Sequence, residues 1–230
     1  PAFIARALEL NPAVLAAETV TRAFSPYQFN PFDYHPLRQI AENLLDYDLV
    51  CANAWPKLFV TATNVRTGKP RIFRGDEIWP GALVASAWLP TLFRAVEIED
   101  PETGRVEAYW DGGYMGNPAL YPLFYETEAA DILIVHINPI EREDLPWTAT
   151  EIMNRLNEIS FNSSLLRELR AIEFVNRLID TGRIAAGTMK RNRIHSISDD
   201  ALMVQLGIAT KLTPSRALLW QLHEAGQAAV

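Results

Sequence analysis

Cysteine is almost absent from this sequence. Cys51 is the only one in 230 residues, which excludes an internal disulfide and a thiolate metal cluster. A reducing compartment fits, although many exported proteins also do without disulfides. No stretch approaches 18 uninterrupted apolar residues, so no transmembrane helix is expected. The first residues lack the basic region and apolar core of a signal peptide. A cytoplasmic location, compatible with association at a membrane, is the expectation. The chain begins with Pro1 and not with Met, so a processed, trimmed or partial polypeptide is expected. Walker, dinucleotide-binding and H-E-x-x-H motifs are missing as well.

What is present describes a folded protein. Forty-nine per cent hydrophobic residues and six Trp argue against disorder. The length suits one large domain, or a domain with a helical extension. The net charge of −7 is unevenly spread. Residues 1–150 hold 11 basic and 20 acidic side chains, whereas residues 151–230 hold 10 and 8. The acidic majority argues against a nucleic-acid binder. The slightly basic tail is compatible with an anionic surface.

Residues 1–23 read as helix, with Pro12 starting a second helix after an Asn11 cap. Phe24–Pro36, aromatic and proline-rich, reads as an ordered loop, and Pro36–Tyr47 as a short amphipathic helix. Lys57–Thr63, Arg71–Phe73 and Val106–Trp110 read as strands, and Asp76–Trp88 as containing a helix. Glu99–Gly104 reads as an acidic turn. The apolar run Asp131–Ile137 suits a central parallel strand covered on both faces. Helical spacing from Ile152 to Leu178 predicts one long helix, or two meeting near Asn162–Ser164, stopped by Gly182. A last helix is expected over Ser215–Ala225, capped by Thr213 with Pro214 following. Together these pieces suggest an α/β core.

Tyr109–Pro118 (YWDGGYMGNP) is the segment best suited to chemistry. It places an Asp at the end of a strand and two glycines directly after it, a turn rich in accessible N–H groups. Such a carboxylate can orient a partner group or accept its proton; it can equally cap its own backbone. His35, His136, His195 and His223 share no metal-ligand spacing. His136 reads as a packed core side chain, and His195, in Lys190–His195, as part of a solvated surface turn.

Leu58–Thr63 (LFVTAT), Thr67–Gly68–Lys69, Ala85–Ser86–Ala87 with Pro90, Tyr109–Gly113 and Asn117–Pro118 occur in an order that resembles the patatin-like phospholipases. The resemblance spans roughly residues 57–138. Over Ala52–Phe124 it is similar to a bacterial subgroup with an additional C-terminal helical region. It implies the C-terminal part of a three-layer α/β/α core over residues 1–139, and a helical extension over 140–230. It also implies a serine-dependent lipid acyl hydrolase working through a Ser–Asp dyad, with no metal and no organic cofactor. Asp111 would be the catalytic carboxylate. Gly112 and Gly113 would shape its turn, and Asn117 and Pro118 would support the segment that follows.

The sequence departs from that family in one respect: it contains no G-x-S-x-G serine and no glycine-rich oxyanion turn before residue 57. Ser86, flanked by Ala85 and Ala87, lacks the small-residue elbow that exposes a nucleophile. This chain alone is therefore expected to be inactive, and its expected partner is an N-terminal half carrying the serine. A lipid or other ester is the expected substrate. Phe29, Phe32 and Trp88 are candidate acyl-pocket residues, and the aromatic loop Phe24–Tyr34 and the helix over 150–180 are candidates for the wall of an acyl-chain channel or for a lipid-facing surface. The alternative is a non-catalytic protein that keeps the fold to hold lipid or a protein partner.

Overall fold

The computed structural model describes all residues except 1–11, 13–15, 17–19, 21–22, 31, 34–35, 53–55, 102, 186, 207–209 and 211–214. Most of the helix expected over residues 1–23 therefore lies outside the described residues. The chain is a mixed α/β protein with several helices and two small sheets. It divides into two compact units, Thr19–Pro122 and Leu123–Val230, the latter joined by Pro1–Glu18. The DILIVH strand groups with the C-terminal unit.

In the Thr19–Pro122 unit, the aromatic segment after Phe24 is not wholly loop. It contains a short helix α1 (Pro26–Phe29), whose first turn is closed by Ser25 N–H donating to Gln28 Oε1 at 2.9 Å. Helices α2 (Pro36–Leu44) and α3 (Tyr47–Ala52) follow. The sheet is built from β1 (Phe59–Asn64), β2 (Pro70–Arg74), β3 (Val96–Asp100) and β4 (Arg105–Asp111) in the order β2-β1-β4-β3. All its pairings are antiparallel.

Strand β3 was hidden behind its own charges. In Val96–Asp100 the apolar Val96 and Ile98 alternate with exposed Glu97 and Glu99, which is the period of a half-buried strand. Asp100 belongs to the strand, and the acidic turn after it is closed by Gly104 N–H donating to Asp100 O at 2.8 Å with Gly104 at φ 65°.

Register decides which side chains share a face. Ala62 pairs with Arg71 and Asp111, and Val96 with Tyr109. Alternation then places Val60, Ala62, Phe73, Ile98, Tyr109 and Asp111 on one side. Helix α4 (Pro80–Ser86) contributes Ala82, Val84 and Ala85 to the core cluster formed with that side, together with Trp88. Its small residues let helix and sheet approach closely.

The Leu123–Val230 unit is a β-α-β arrangement. β5 (Asp131–His136) and β6 (Arg193–Ser198) pair in parallel, joined through the long helix α6 (Ala149–Asp180). One short helix, α5 (Tyr121–Glu126), precedes β5, and α7 (Asp200–Met203) and α8 (Arg216–Ala228) follow β6.

Helix α6 is a single helix through Asn162–Ser164. Thr148 and Glu151 form its capping box. At the other end Gly182 N–H donates to Ile179 O and Arg183 N–H to Leu178 O, a Schellman stop around Gly182 at φ 69°. The cap of α8 is Ser215, whose side chain accepts from Leu218 N–H. The residues expected to start that helix, Thr213 and Pro214, lie outside the described residues.

Strand β5 differs from its reading as a strand covered on both faces. Its burial alternates: Ile132, Ile134 and His136 are buried, while Leu133, Val135 and Ile137 are 59%, 69% and 60% exposed. The apolar run reflects two apolar faces, only one of which is covered. His195 also moves: it lies within β6, not in a surface turn. There its Nε2 approaches Asp131 Oδ1 at 2.9 Å.

Candidate active site

Asp111 ends β4, and the chain turns at once into a 3-10 helix over Gly112–Tyr114. The Asp111 carboxylate caps that turn: Oδ1 accepts from Gly113 N–H at 2.7 Å. Two bonds fix the backbone around it. Asp111 N–H donates to Trp88 O at 3.0 Å, and Thr63 Oγ1 donates to Asp111 O at 2.8 Å. The residue is thus tied to the segment after α4, to β1 and to its own turn, while its side chain stays partly exposed. A carboxylate so restrained loses little further freedom when it orients a partner group.

The two glycines of the motif are both buried, for a reason the geometry makes explicit. A Cβ on Gly112 would stand 2.1 Å from Thr61 O, inside any tolerable contact. The turn therefore crosses the backbone of β1 at a distance only glycine permits. Further along, a Cβ on Gly116 would meet Ala119 Cβ at 2.8 Å and Thr61 Cγ2 at 3.0 Å. Asn117 and Pro118 form a cis peptide in the loop that follows. Gly112, Gly113, Asn117 and Pro118 thus sit in one continuous loop with Asp111.

Tyr114 belongs to the same turn. Burial pushes its phenol pKa up, and the nearby Asp111 carboxylate raises it further. Sequence reading passed over Tyr114, which stands three residues after the Asp and closes the 3-10 turn.

Of the pocket candidates, Trp88 meets Asp111 through its backbone carbonyl. Trp88 is buried in the core, donating its indole N–H to Arg94 O and stacking at a tilt on Phe93 with centroids 5.2 Å apart. Phe32 is 93% exposed and Phe29 is half-buried. Ser86 closes α4 with its hydroxyl donating to Leu83 O at 2.8 Å, an ordinary bond back into its own helix.

A second polar group lies on the same sheet face, and sequence gave little warning of it. Asp100 is buried, accepts from Tyr109 OH at 2.6 Å and lies 3.5 Å from Arg71. Burial and the Asp100 hydrogen bond drive the Tyr109 pKa far above its ordinary value. Glu107 is buried as well, bonded to Asn64 Nδ2 and paired with Arg66 and Arg105. These groups neutralise one another, as buried charges must, and they hold the β1–β4 pairing that carries Asp111.

The histidines lie apart from this turn in sequence, and His35 lies outside the described residues. Asn162 Nδ2 donates to Pro139 O at 2.9 Å, which aims its Oδ1 at His136 Nε2, 3.2 Å away. His136 is therefore a satisfied core side chain, as its place in an apolar strand implies. Among the described residues no three His, Cys, Asp or Glu side chains gather as a metal site requires. No protein-family model and no curated protein matches this chain.

Proposed function

We propose that this chain supplies the carboxylate of a serine-dependent lipid acyl hydrolase of patatin-like, three-layer architecture. One observation carries the reading. Asp111 stands at a strand end, restrained through three hydrogen bonds, on a turn whose first glycine is imposed by contact with β1. In the proposed reaction a serine hydroxyl adds to the ester carbonyl. Its proton passes to Asp111 and on to the departing alcohol, leaving an acyl-serine that water resolves through the same carboxylate. The chemistry requires donors for the developing oxyanion and neither metal nor organic cofactor.

The serine would come from a G-x-S-x-G segment that this sequence does not contain.

The capping bond from Gly113 to Asp111 favours a second reading, in which the Asp is structural and the fold binds lipid or protein without catalysis. Co-expression with a segment bearing the serine, assayed on p-nitrophenyl butyrate, separates the two. The dyad predicts hydrolysis that falls at least about a hundredfold in Asp111→Asn with the melting temperature unchanged. It also predicts that a fluorophosphonate labels the serine segment and leaves this chain unlabelled. An Asp111→Asn protein as active as the parent removes the dyad; no turnover on any ester favours the binding role.

A further inference from the structure

The most extended exposed feature of the Leu123–Val230 unit is one side of α6. At roughly 100° per residue, positions 152, 156, 159, 163, 167, 170, 174 and 177 form a single strip. Ile152, Leu156, Ile159 and Phe174 on it are all more than two-fifths exposed. Arg167, Arg170 and Arg177 on it are exposed too, and none of the three pairs with a carboxylate among the described residues. Arg177 instead lies over the Phe174 ring at 6.0 Å, and Arg167 turns back to Ser163 O at 3.1 Å.

The carboxylates of α6 stand off the strip. Glu158 is held by Arg142 and Arg155, Asp180 by Arg191, and Glu151 caps the helix start. Glu168 and Glu173 fall outside it on the same helical count. The strip is therefore apolar over its first half, cationic over its second, flanked by Glu173 and Asp180 beside Arg177, and roughly 38 Å long at the helical rise.

We propose that this face of α6 lies on an anionic lipid surface, the apolar side chains entering the headgroup boundary and the three arginines meeting lipid phosphates. Two properties select that partner. Unpaired arginines without an interleaved carboxylate complement negative charge. Exposed Ile, Leu and Phe on the same strip are what an interfacial helix buries and what a nucleic-acid surface does not require. No helix among the described residues is long and apolar enough to cross a membrane, so α6 rests on the surface. The assignment is independent of the role given to Asp111.

Co-sedimentation of the full chain with vesicles tests it. Binding is expected to phosphatidylcholine vesicles containing phosphatidylglycerol and to be much weaker to phosphatidylcholine alone. Replacing Arg167, Arg170 and Arg177 together by Gln should lower the partition constant about a hundredfold, at about fivefold per arginine. Leu156→Ser with Ile159→Ser should lower binding to both vesicle types. These positions are exposed, so circular dichroism and melting should match the parent. The proposal is overturned if the parent does not pellet with anionic vesicles, or if the arginine variant pellets equally well. It is also overturned if the strip binds heparin or RNA in preference to vesicles, or if gel filtration shows a dimer that Leu156→Ser dissociates.

Discussion

Substitution of Gly112 by alanine isolates the contact on which the Asp111 turn depends. The added Cβ would lie 2.1 Å from Thr61 O, 2.7 Å from Thr61 C and 3.1 Å from Thr61 Cβ. Ordinary carbon–oxygen contacts fall near 3.3–3.6 Å, so relief requires a movement of about 1 Å. Neither side yields easily. Thr61 belongs to an inner strand paired on both edges, and the turn is pinned by the Asp111 bonds to Trp88 O and Thr63 Oγ1. Overpacking of this kind costs about 1–3 kcal/mol, and a rigid backbone partner places it at the upper end. Loss of glycine freedom in the unfolded chain returns about 0.4–1 kcal/mol. The net expectation is a destabilisation of about 2 kcal/mol.

The assay is urea unfolding followed by near-ultraviolet circular dichroism, with hydrogen exchange of the β1 and β4 amides locating the loss. With a slope of about 2 kcal/mol per molar, the midpoint should fall by about 1 M. Gly226→Ala is the internal control. It stands in α8 with nothing within 4 Å of the new Cβ, so the same chemical change should stabilise by up to about 1 kcal/mol. Opposite signs for the two substitutions are required. A Gly112→Ala midpoint equal to or above the parent's would show that the close crossing over Thr61 is not what the turn needs.

Three further outcomes follow from the same geometry. Asp111→Asn removes the charge that raises the Tyr114 phenol, so the Tyr114 ultraviolet titration should move to lower pH while remaining above an ordinary tyrosine, since burial is the larger cause; an unmoved midpoint would place the Asp111 charge elsewhere. Asp131 is held well below the usual carboxylate range by its bonds to Arg193 first and His195 second. Its folded pKa is depressed, so its contribution to stability is present above about pH 4 and is lost as pH falls toward the folded value. A carbon-13 titration should show the depressed midpoint, with Arg193→Gln bringing it back up, and an Asp131 midpoint at or above 3.9 refutes the pairing. Asn162→Leu leaves His136 Nε2 buried without its partner and takes from Pro139 O the shorter of its two donors, which should cost about 1–3 kcal/mol in thermal or urea unfolding; an unchanged melt would mean that water replaces the amide.

How much of this was legible depended on whether the signal was local. The Asp111 turn could be read directly, because strand end, carboxylate and paired glycines are adjacent in the chain. Helix α6 could be read from its apolar spacing and from Gly182, and β1, β2, β4 and β5 from β-branched runs bounded by turn residues. Strand β3 was obscured because Glu97, Glu99 and Asp100 weigh toward a turn, although Val96 and Ile98 keep the two-residue period. Asp100 adds a difficulty of a different kind. It is buried only because Tyr109 and Arg71 meet it across strands, and no local pattern announces that. β6 was missed for the same reason. Arg193–Ser198 is polar on both faces and becomes a strand by pairing with β5, more than sixty residues earlier in the chain.

The apolar run of β5 shows why composition alone overstates what a strand has already buried. DILIVH reads as fully internal, yet only Ile132, Ile134 and His136 are covered. Leu133 and Val135 face away from the covered side, opposite His195 and Ile197 of β6 in register. A sequence records the surfaces a strand can bury in every assembly it enters, whereas one chain records only those it buries by itself. The difference between the two is informative. Here it falls on the face of a parallel pair, where isolated exposure is unusual. Covering it by a partner should therefore raise hydrogen-exchange protection along β5, at the amides already bonded to β6. Protection unchanged on addition of the proposed serine-bearing segment would leave the bare face a property of the free chain.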